Sequence, residues 1–146
     1  MAVTAKGYGQ FLKLALSTKP VDLLNNTIKV MLCTSSYTPD QDNHTTKANV
    51  TGEVSGTGYT AGGKALTNKT LTYTASTNTT TFDADDVTWT NSTITARYAV
   101  IYADIGSTDS DKPLIGYVDF GEDKSSSNGD FTIQWSTSGI CTFTTP

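Results

Sequence analysis

The residues that could carry chemistry in this 146-residue chain are few, and His44 is its single histidine. His44 follows Asp40 and Asp42 in the segment Asp-Gln-Asp-Asn-His, which offers three ligands to a metal ion. A metal site needs further converging ligands, and the sequence indicates none of them. We interpret His44 as a hydrogen-bonding loop residue and predict neither a metal site nor a cofactor. The residue types needed for a Ser-His-Asp triad are present, so residue type alone does not exclude one. The chain has no Gly-x-Ser-x-Gly elbow, however.

The carboxylates group closely at residues 83–86, in the run Asp-Ala-Asp-Asp. This run lacks the glycine and the distal glutamate of a calcium loop, in which a hard cation takes six to eight oxygen ligands. We predict a polar turn between two strands here and interpret Glu122 and Asp123 in the same way. No two carboxylates stand out as the acid and nucleophile of a glycosidase, so we predict that the chain is not an enzyme.

Glycine and asparagine residues are interpreted as turn formers rather than as ligand sites. The stretch 56–63 ends in Gly63-Lys64 and superficially resembles a phosphate-binding loop. A P-loop needs Ser or Thr after the lysine and then a helix, whereas Ala65 follows here and a strand is expected next. We predict a turn with positive φ angles. Six Asn-x-Ser/Thr sequons are read as asparagines at turns in a threonine-rich chain; they begin at Asn25, Asn43, Asn49, Asn68, Asn78 and Asn91.

The two cysteines and two tryptophans are predicted to be structural. Cys33 and Cys141 each lie in a predicted strand, where a disulfide is possible if the strands are neighbours. Two buried free thiols are favoured, because free cysteine packs as a small hydrophobe. Trp89, Trp135 and the seven tyrosines could line a sugar-binding face, but aromatic residues at alternating strand positions more often pack in a core. Trp89 and Val87 lie two residues apart and therefore on the same face of the predicted strand, so we place Trp89 in the core.

The composition excludes several classes of partner. The net charge is −4 and the single arginine and scattered lysines form no basic run, which argues against binding to a phosphate backbone. No stretch approaches the roughly 20 apolar residues of a membrane-spanning helix, and no secretion signal is apparent. Charged residues make up 16% of the chain, against about 25% in an average domain. Threonine fills much of the difference, as suits the exposed face of a β-sheet.

The elements that would position these residues are mainly strands, and residues 82–102 show this most clearly. From Ile94 to Tyr102 apolar side chains fall on every second residue, a period that predicts a strand with one buried face. The other face carries Arg97 and ends in the apolar Ala99 and Ile101. We therefore predict a central strand that is covered on both sides near its C-terminal end.

The rest of the chain predicts one helix and further short strands. Apolar spacing predicts a helix at residues 5–18 with Thr4 as its N-cap, and a first strand at residues 28–34. A long irregular segment, 35–63, should contain a short helical turn near residues 46–50. Further strands are predicted at residues 65–73, 79–82, 86–89, 94–102, 114–120, 130–135 and 140–144.

Many short strands without βαβ alternation predict an all-β fold. We expect one domain spanning residues 1–146, a β-sandwich or jelly-roll-like architecture, with residues 1–26 as an N-terminal arm and helix. Arg97 needs a carboxylate or carbonyl partner on its half-buried face. An internal bridge to an aspartate is the default interpretation, and a contact across a subunit boundary is the alternative.

Several segments together resemble a family of tailed-bacteriophage virion proteins. They cover most of the chain from residue 26 to 144 and include Ser-Tyr-Thr-Pro before His44, Phe-Asp-Ala-Asp-Asp-Val-Thr-Trp and Thr-Ile-Thr-Ala-Arg-Tyr-Ala-Val-Ile-Tyr. The matching segments are residues 26–30, 36–39, 53–63, 82–89, 93–102 and 114–121. These motifs are structural rather than catalytic, and the resemblance carries over no catalytic residues.

The resemblance implies a head decoration, or cement, protein that binds the outer surface of the major capsid protein lattice. The expected location is the outside of the virion head, after synthesis in the host bacterial cytoplasm. Neighbouring copies of the chain are a second expected partner, whereas nucleic acid and membrane are not. A tail or fibre module that binds host glycan is the alternative. The residues expected to contact the capsid or a neighbouring subunit are Tyr8, Phe11, Tyr37, Tyr59 and Arg97.

Overall fold

Strands dominate residues 2–146, which are the residues that the computed structural model describes. Within this range there is one short α-helix, α1 (Phe11–Ala15), and there are two 3-10 turns at Lys47–Asn49 and Asp109–Asp111. The eight strands are β1 (Thr4–Gly7), β2 (Ile28–Cys33), β3 (Lys64–Ala65), β4 (Thr70–Thr74), β5 (Thr79–Asp83), β6 (Val87–Ala103), β7 (Leu114–Ile133) and β8 (Cys141–Thr144).

The strands form two antiparallel sheets. The larger sheet has the order β1-β7-β6-β2-β3 and the smaller has the order β4-β5-β8. Phe82 of β5 belongs to the same buried cluster as Val30 of β2 and Trp89 of β6, so the two sheets share a core. The all-β prediction is confirmed. The more specific sandwich or jelly-roll architecture stays a prediction.

The long strand β6 joins two segments that the sequence predicts as separate strands. The expected break at residues 91–92 is an irregularity inside one strand, where the register with β7 shifts between Trp89 and Ser92. Asn91 adopts a φ of 49°, and the buried Ser92 hydroxyl lies 3.0 Å from the Gly129 carbonyl oxygen. A β-bulge accommodates turn-forming residues without ending the strand, which is why the local signal was misleading.

A second irregularity in β6 reverses the predicted alternation of faces. Between Ala96 and Tyr98 the partner residue on β7 jumps from Lys124 to Asp119. Ala96 before the jump and Ala99 after it both lie in the main core. The prediction that residues 94–102 keep one face is therefore wrong, since a single extra residue exchanges the two sides of a strand. The main core contains Ile94, Ala96, Ala99 and Ile101, whereas Val100 and Tyr102 lie in a second cluster on the opposite face.

The central position predicted for β6 is confirmed. It lies in the middle of the five-stranded sheet, and its last residues, from Ala99 to Ala103, are all buried. β7 is also continuous where the sequence predicts a loop at residues 121–129. This stretch is polar because it forms an exposed ribbon with β6, and Gly121 supplies a φ of 80° at the bulge.

The N-terminal helix is shorter than predicted. Residues 4–7 form β1, which pairs with residues 116–119 of β7, so Thr4 is not an N-cap. The helix α1 begins at Phe11 with Gln10 at its N-cap position. Gly7 and Gly9 explain the difference, because glycine costs about 1 kcal/mol relative to alanine inside a helix.

The irregular segment 35–63 is confirmed, and the 3-10 turn Lys47–Asn49 lies where a helical turn is predicted. The segment packs over the outer face of the larger sheet. Tyr37 is 1% exposed there and lies in one cluster with Met31, Cys33 and Tyr102. The segment therefore contributes buried residues to the folded domain rather than lying on the surface of a complete core.

Candidate binding surface

His44 is a structural hydrogen-bonding residue, as predicted. Its Nδ1 accepts a hydrogen bond from the Asp40 backbone N–H (3.2 Å) and lies 2.9 Å from the Tyr37 hydroxyl. A nitrogen that accepts from a backbone N–H carries no proton, so Tyr37 must donate to it. Tyr8 then donates to Tyr37 over 2.9 Å. This chain of three side chains ties the segment 35–63 to the N-terminal arm.

The carboxylates at residues 83–86 form a polar turn between β5 and β6, as predicted. Asp85 accepts a hydrogen bond from the Asn68 side chain over 2.5 Å, and Asp86 accepts one from the Trp135 backbone N–H over 2.9 Å. Both are occupied by neighbouring loops. Over residues 2–146, no group of three or more His, Cys, Asp or Glu side chains is placed to hold a metal ion.

Several carboxyl groups are stabilised as anions. Hydrogen bonds from Lys112 (2.7 Å) and Lys29 (2.8 Å) hold the pKa of Asp104 below its usual value. A general acid at neutral pH needs a pKa displaced upward, so groups held in this way are unsuited to that role. The pKa is displaced downward in the same direction for Asp22, Asp40, Asp104, Asp111, Asp119 and Glu122.

Both cysteines are free, as the favoured interpretation predicts, but only Cys33 is buried and Cys141 is half-buried. Burial raises the pKa of Cys33 to about 12 and that of Cys141 to about 11. The thiolate is the reactive form of cysteine, so both groups are poor nucleophiles at neutral pH.

The glycine-rich stretch 56–63 forms the turn with positive φ angles that the sequence predicts. Gly58, Gly62 and Gly63 have φ values of 82°, 95° and 81°. The Glu53 carboxylate accepts hydrogen bonds from the Gly62 backbone N–H and the Tyr59 hydroxyl, each over 2.7 Å. The polar groups of this turn are therefore bound to a carboxylate of the chain itself.

Neither tryptophan lies on an open sheet face. Trp89 is 1% exposed, as its parity with Val87 predicts. Trp135 is half-buried, and its Nε1 donates a hydrogen bond to the Asp85 carbonyl oxygen over 3.0 Å. These two rings support packing rather than a sugar-binding platform.

Arg97 makes the internal bridge that was the default interpretation. Its Nε donates to Asp119 Oδ1 over 2.8 Å and its terminal nitrogen lies 3.4 Å from Oδ2. Asp119 Oδ1 also accepts from the Gly121 backbone N–H over 2.7 Å. The pair thereby closes the irregular part of the β6–β7 ribbon.

This bridge predicts an acid-dependent contribution to stability. Arg97 lowers the pKa of Asp119 below its ordinary value of 3.8, so the folded state binds a proton less readily than the unfolded chain. The contribution is complete above the unfolded-state pKa and disappears as the pH falls through the lower folded-state pKa. In urea titrations, wild type should be more stable than Asp119→Asn at neutral pH, and the two should converge in acid. A difference that is constant with pH would contradict this.

The other predicted contact residues are mostly buried within the chain. Tyr8, Phe11 and Tyr37 are 4%, 5% and 1% exposed, because they complete the two cores. Tyr59 is half-buried, and its hydroxyl accepts a hydrogen bond from the Leu32 backbone N–H over 3.0 Å. Their role in contacts with a partner stays a prediction, but their side chains offer little surface in this structure.

A different apolar surface lies beside them. Val3, Leu12 and Leu16 are 60%, 50% and 77% exposed, and we call these three residues the N-terminal patch. Leu12 and Leu16 are one helical turn apart and therefore lie on one side of α1. The apolar spacing that predicts the helix includes both leucines, and the structure places them on its exposed side.

The N-terminal patch borders an open cavity of about 1140 Å³, which we call the apolar cleft. It lies between β1, the start of α1, β7 and β8, and Val3 and Leu12 form part of its wall. Lys6 and Lys124 are the basic residues in its lining and Asp130 is the acidic one. Its apolar wall includes Phe11, Ile115, Phe120, Phe131, Ile133, Ile140 and Phe143.

Comparison with known proteins finds no relative of the chain. No family model, no curated protein and no solved structure matches the chain. Within residues 2–146, no helix has the length and apolar character needed to cross a membrane. The resemblance to virion proteins therefore stays a prediction from sequence motifs.

Proposed function

We propose that the chain is a capsid decoration protein that binds the outer surface of a phage head and stabilises it. The observation that carries the proposal is the N-terminal patch at the mouth of the apolar cleft. Large apolar surfaces on a folded protein mark sites of association. The N-terminal patch holds three of the six large hydrophobic residues that are exposed within residues 2–146; the others are Leu24, Leu71 and Tyr73.

The surroundings of the titratable groups also favour binding over catalysis. The aspartates with displaced pKa values are engaged by lysines, by Arg97 or by backbone N–H groups, and both thiols are held protonated. A general acid or a nucleophile needs the opposite tuning. The described side chains thus act in folding, and the apolar surface is left for a partner.

The charge and the architecture suit a lattice-binding role. A net charge of −4 limits adsorption to nucleic acid during assembly. Many identical weak contacts on a repeated surface stabilise the bound state by mass action. A core shared by two sheets gives each bound copy a rigid body on which such contacts can act.

A binding experiment on heads tests the proposal. Heads of the encoding phage are purified from a mutant that lacks this protein, and the purified chain is added back. We expect binding at a copy number comparable to that of the major capsid protein, with greater resistance of the heads to heat. Saturation at a few copies per head, or labelling of the tail in electron micrographs, would overturn the proposal.

Substitution of the N-terminal patch tests the surface itself. The double variant Leu12→Asp/Leu16→Asp should bind heads at least about ten-fold more weakly, because two leucines would lose their apolar contacts. Leu24→Asp is the matched control, since Leu24 is 43% exposed but does not line the apolar cleft. Urea titrations should show similar folding for all variants. Equal binding by the double variant and the control would exclude this surface.

A further inference from the structure

The strand β4 is an open sheet edge without the usual protection. It pairs with β5 on one side only, and all five of its residues are exposed. Its sequence, Thr-Leu-Thr-Tyr-Thr, contains no charge, no proline and no glycine. Such an edge presents unpaired backbone N–H and C=O groups to any other strand, and proteins normally block it.

The open edges of the larger sheet carry such blocks. β3 has two residues and includes Lys64, and β1 includes Lys6 and Gly7. The outer edge of β7 beyond its pairing with β1 carries charged side chains and a bulge. The edge strand β8 is followed within two residues by Pro146. β8 itself, Cys-Thr-Phe-Thr, also contains no charge, proline or glycine, but its residues alternate between half-buried and exposed, whereas every residue of β4 is exposed.

The side chains of β4 leave an apolar surface unfinished. Leu71 lies directly opposite Phe82 of β5, so both point to the same face of the sheet. Phe82 is fully buried in the main core, whereas Leu71 is 39% exposed and Tyr73 is 60% exposed. A further strand beside β4 would cover these two side chains and extend the core face of the smaller sheet.

We infer that the strand beside β4 is β4 of a second copy, paired antiparallel about Thr72. The order of residues is symmetric about this position, so each Leu71 faces a Tyr73 of the other copy and each Thr70 faces a Thr74. Cross-strand pairs of an aromatic with an aliphatic side chain, and of threonine with threonine, are favourable in antiparallel sheets. The two smaller sheets then form one continuous sheet across a two-fold axis.

Electrostatics permits this pairing. Antiparallel strands centred on Thr72 place Lys69 opposite Ala75 of the second copy, so no like charges meet along the edge. Lys69 also turns inward, where its Nζ donates a hydrogen bond to the Asn26 carbonyl oxygen. The self-pairing therefore needs no rearrangement of charged side chains.

Cysteine cross-linking tests the register. In the pairing about Thr72 the two Thr72 Cα atoms lie about 4.5–5.5 Å apart, which suits a disulfide, whereas the two Thr74 residues are about 14 Å apart along the strands. Under mild oxidation, Thr72→Cys should form a covalent dimer and Thr74→Cys should not. Comparable cross-linking of both variants, or of neither, would overturn the proposed pairing.

Variants with opposite charges at position 72 distinguish a loss of pairing from misfolding. Sedimentation equilibrium should show that wild type dimerises at high micromolar concentration and that Thr72→Lys and Thr72→Glu are each monomeric. Mixing the two variants should restore a dimer that contains one copy of each, because opposite charges then meet on the axis. A wild-type chain that stays monomeric, or no rescue on mixing, would refute the inference. The cross-linking and sedimentation measurements use the purified chain without heads, so they are independent of the capsid proposal.

A capsid strand on β4 would give another pattern. The wild-type chain would then be monomeric in solution, and Thr72→Lys would lose binding to heads while Leu24→Asp kept it. That result would exclude the second copy as the occupant. The proposed head-binding function would survive it, with its contact surface moved to β4.

Discussion

Replacing Trp89 with alanine is expected to lower the free energy of unfolding by about 3–5 kcal/mol. Trp89 is 1% exposed at the centre of the main core. Its ring lies 5.9 Å from that of Tyr59 and 6.2 Å from that of Phe131, so it joins the glycine-rich turn to the β6–β7 ribbon. The residual cavity would lie between these parts, and the two partner rings would lose their packing. Total stability is about 5–15 kcal/mol for such domains, so the loss is a large share of it.

Trp89→Phe is the informative companion. Within residues 2–146, the Trp89 indole Nε1 is the buried side-chain polar atom that has no hydrogen-bond partner. Phenylalanine keeps an aromatic ring between Tyr59 and Phe131 and removes this unpaired donor, whose burial is itself unfavourable. We expect Trp89→Phe to cost less than half as much as Trp89→Ala. Urea titrations monitored by Trp135 fluorescence measure both, and equal losses would show that ring packing is not what stabilises this site.

The sequence predicts the fold class because strand periodicity is local. β2 and β5 were predicted to within about a residue at each end, and the free thiols, the buried Trp89 and the polar turn at residues 83–86 are all confirmed. What the sequence does not show is how strands join across irregularities. Asn91 and Gly121 are turn formers, and only pairing with a long partner strand turns their positions into bulges.

The candidate surface was predicted less well for a related reason. The sequence analysis expects aromatic residues of the N-terminal arm and of the segment 35–63 to contact a partner. Tyr37 and Tyr8 instead complete the second core, linked to each other and to His44 by hydrogen bonds. Tertiary contacts decide whether an apolar residue packs inside the chain or stays exposed to a partner. The spacing of Leu12 and Leu16 in the sequence does not reveal these contacts.

Gly63 lies where the end of the segment 35–63 meets β2, and Gly63→Ala is expected to cost at least about 3 kcal/mol. The left-handed backbone alone costs a non-glycine residue about 1–3 kcal/mol, and Gly63 has a φ of 81°. A Cβ atom at this position would also lie 1.8 Å from the Val30 carbonyl oxygen. Because Lys64 pairs with Val30, the clash would separate β3 from β2 and loosen the turn held by Glu53.

Gly129→Ala is the matched control for this prediction. Gly129 lies in β7 outside the positive-φ region, and the atom nearest to an added Cβ is the Ser127 carbonyl oxygen at 3.6 Å. The free energy of unfolding of Gly129→Ala should differ from that of wild type by no more than about 0.5 kcal/mol. If Gly63→Ala were as well tolerated as Gly129→Ala, the close approach at Val30 would not be what fixes the segment. If Gly63→Ala costs at least about 3 kcal/mol as expected, the close approach of the Gly63 backbone to Val30 is what fixes the turn against β2.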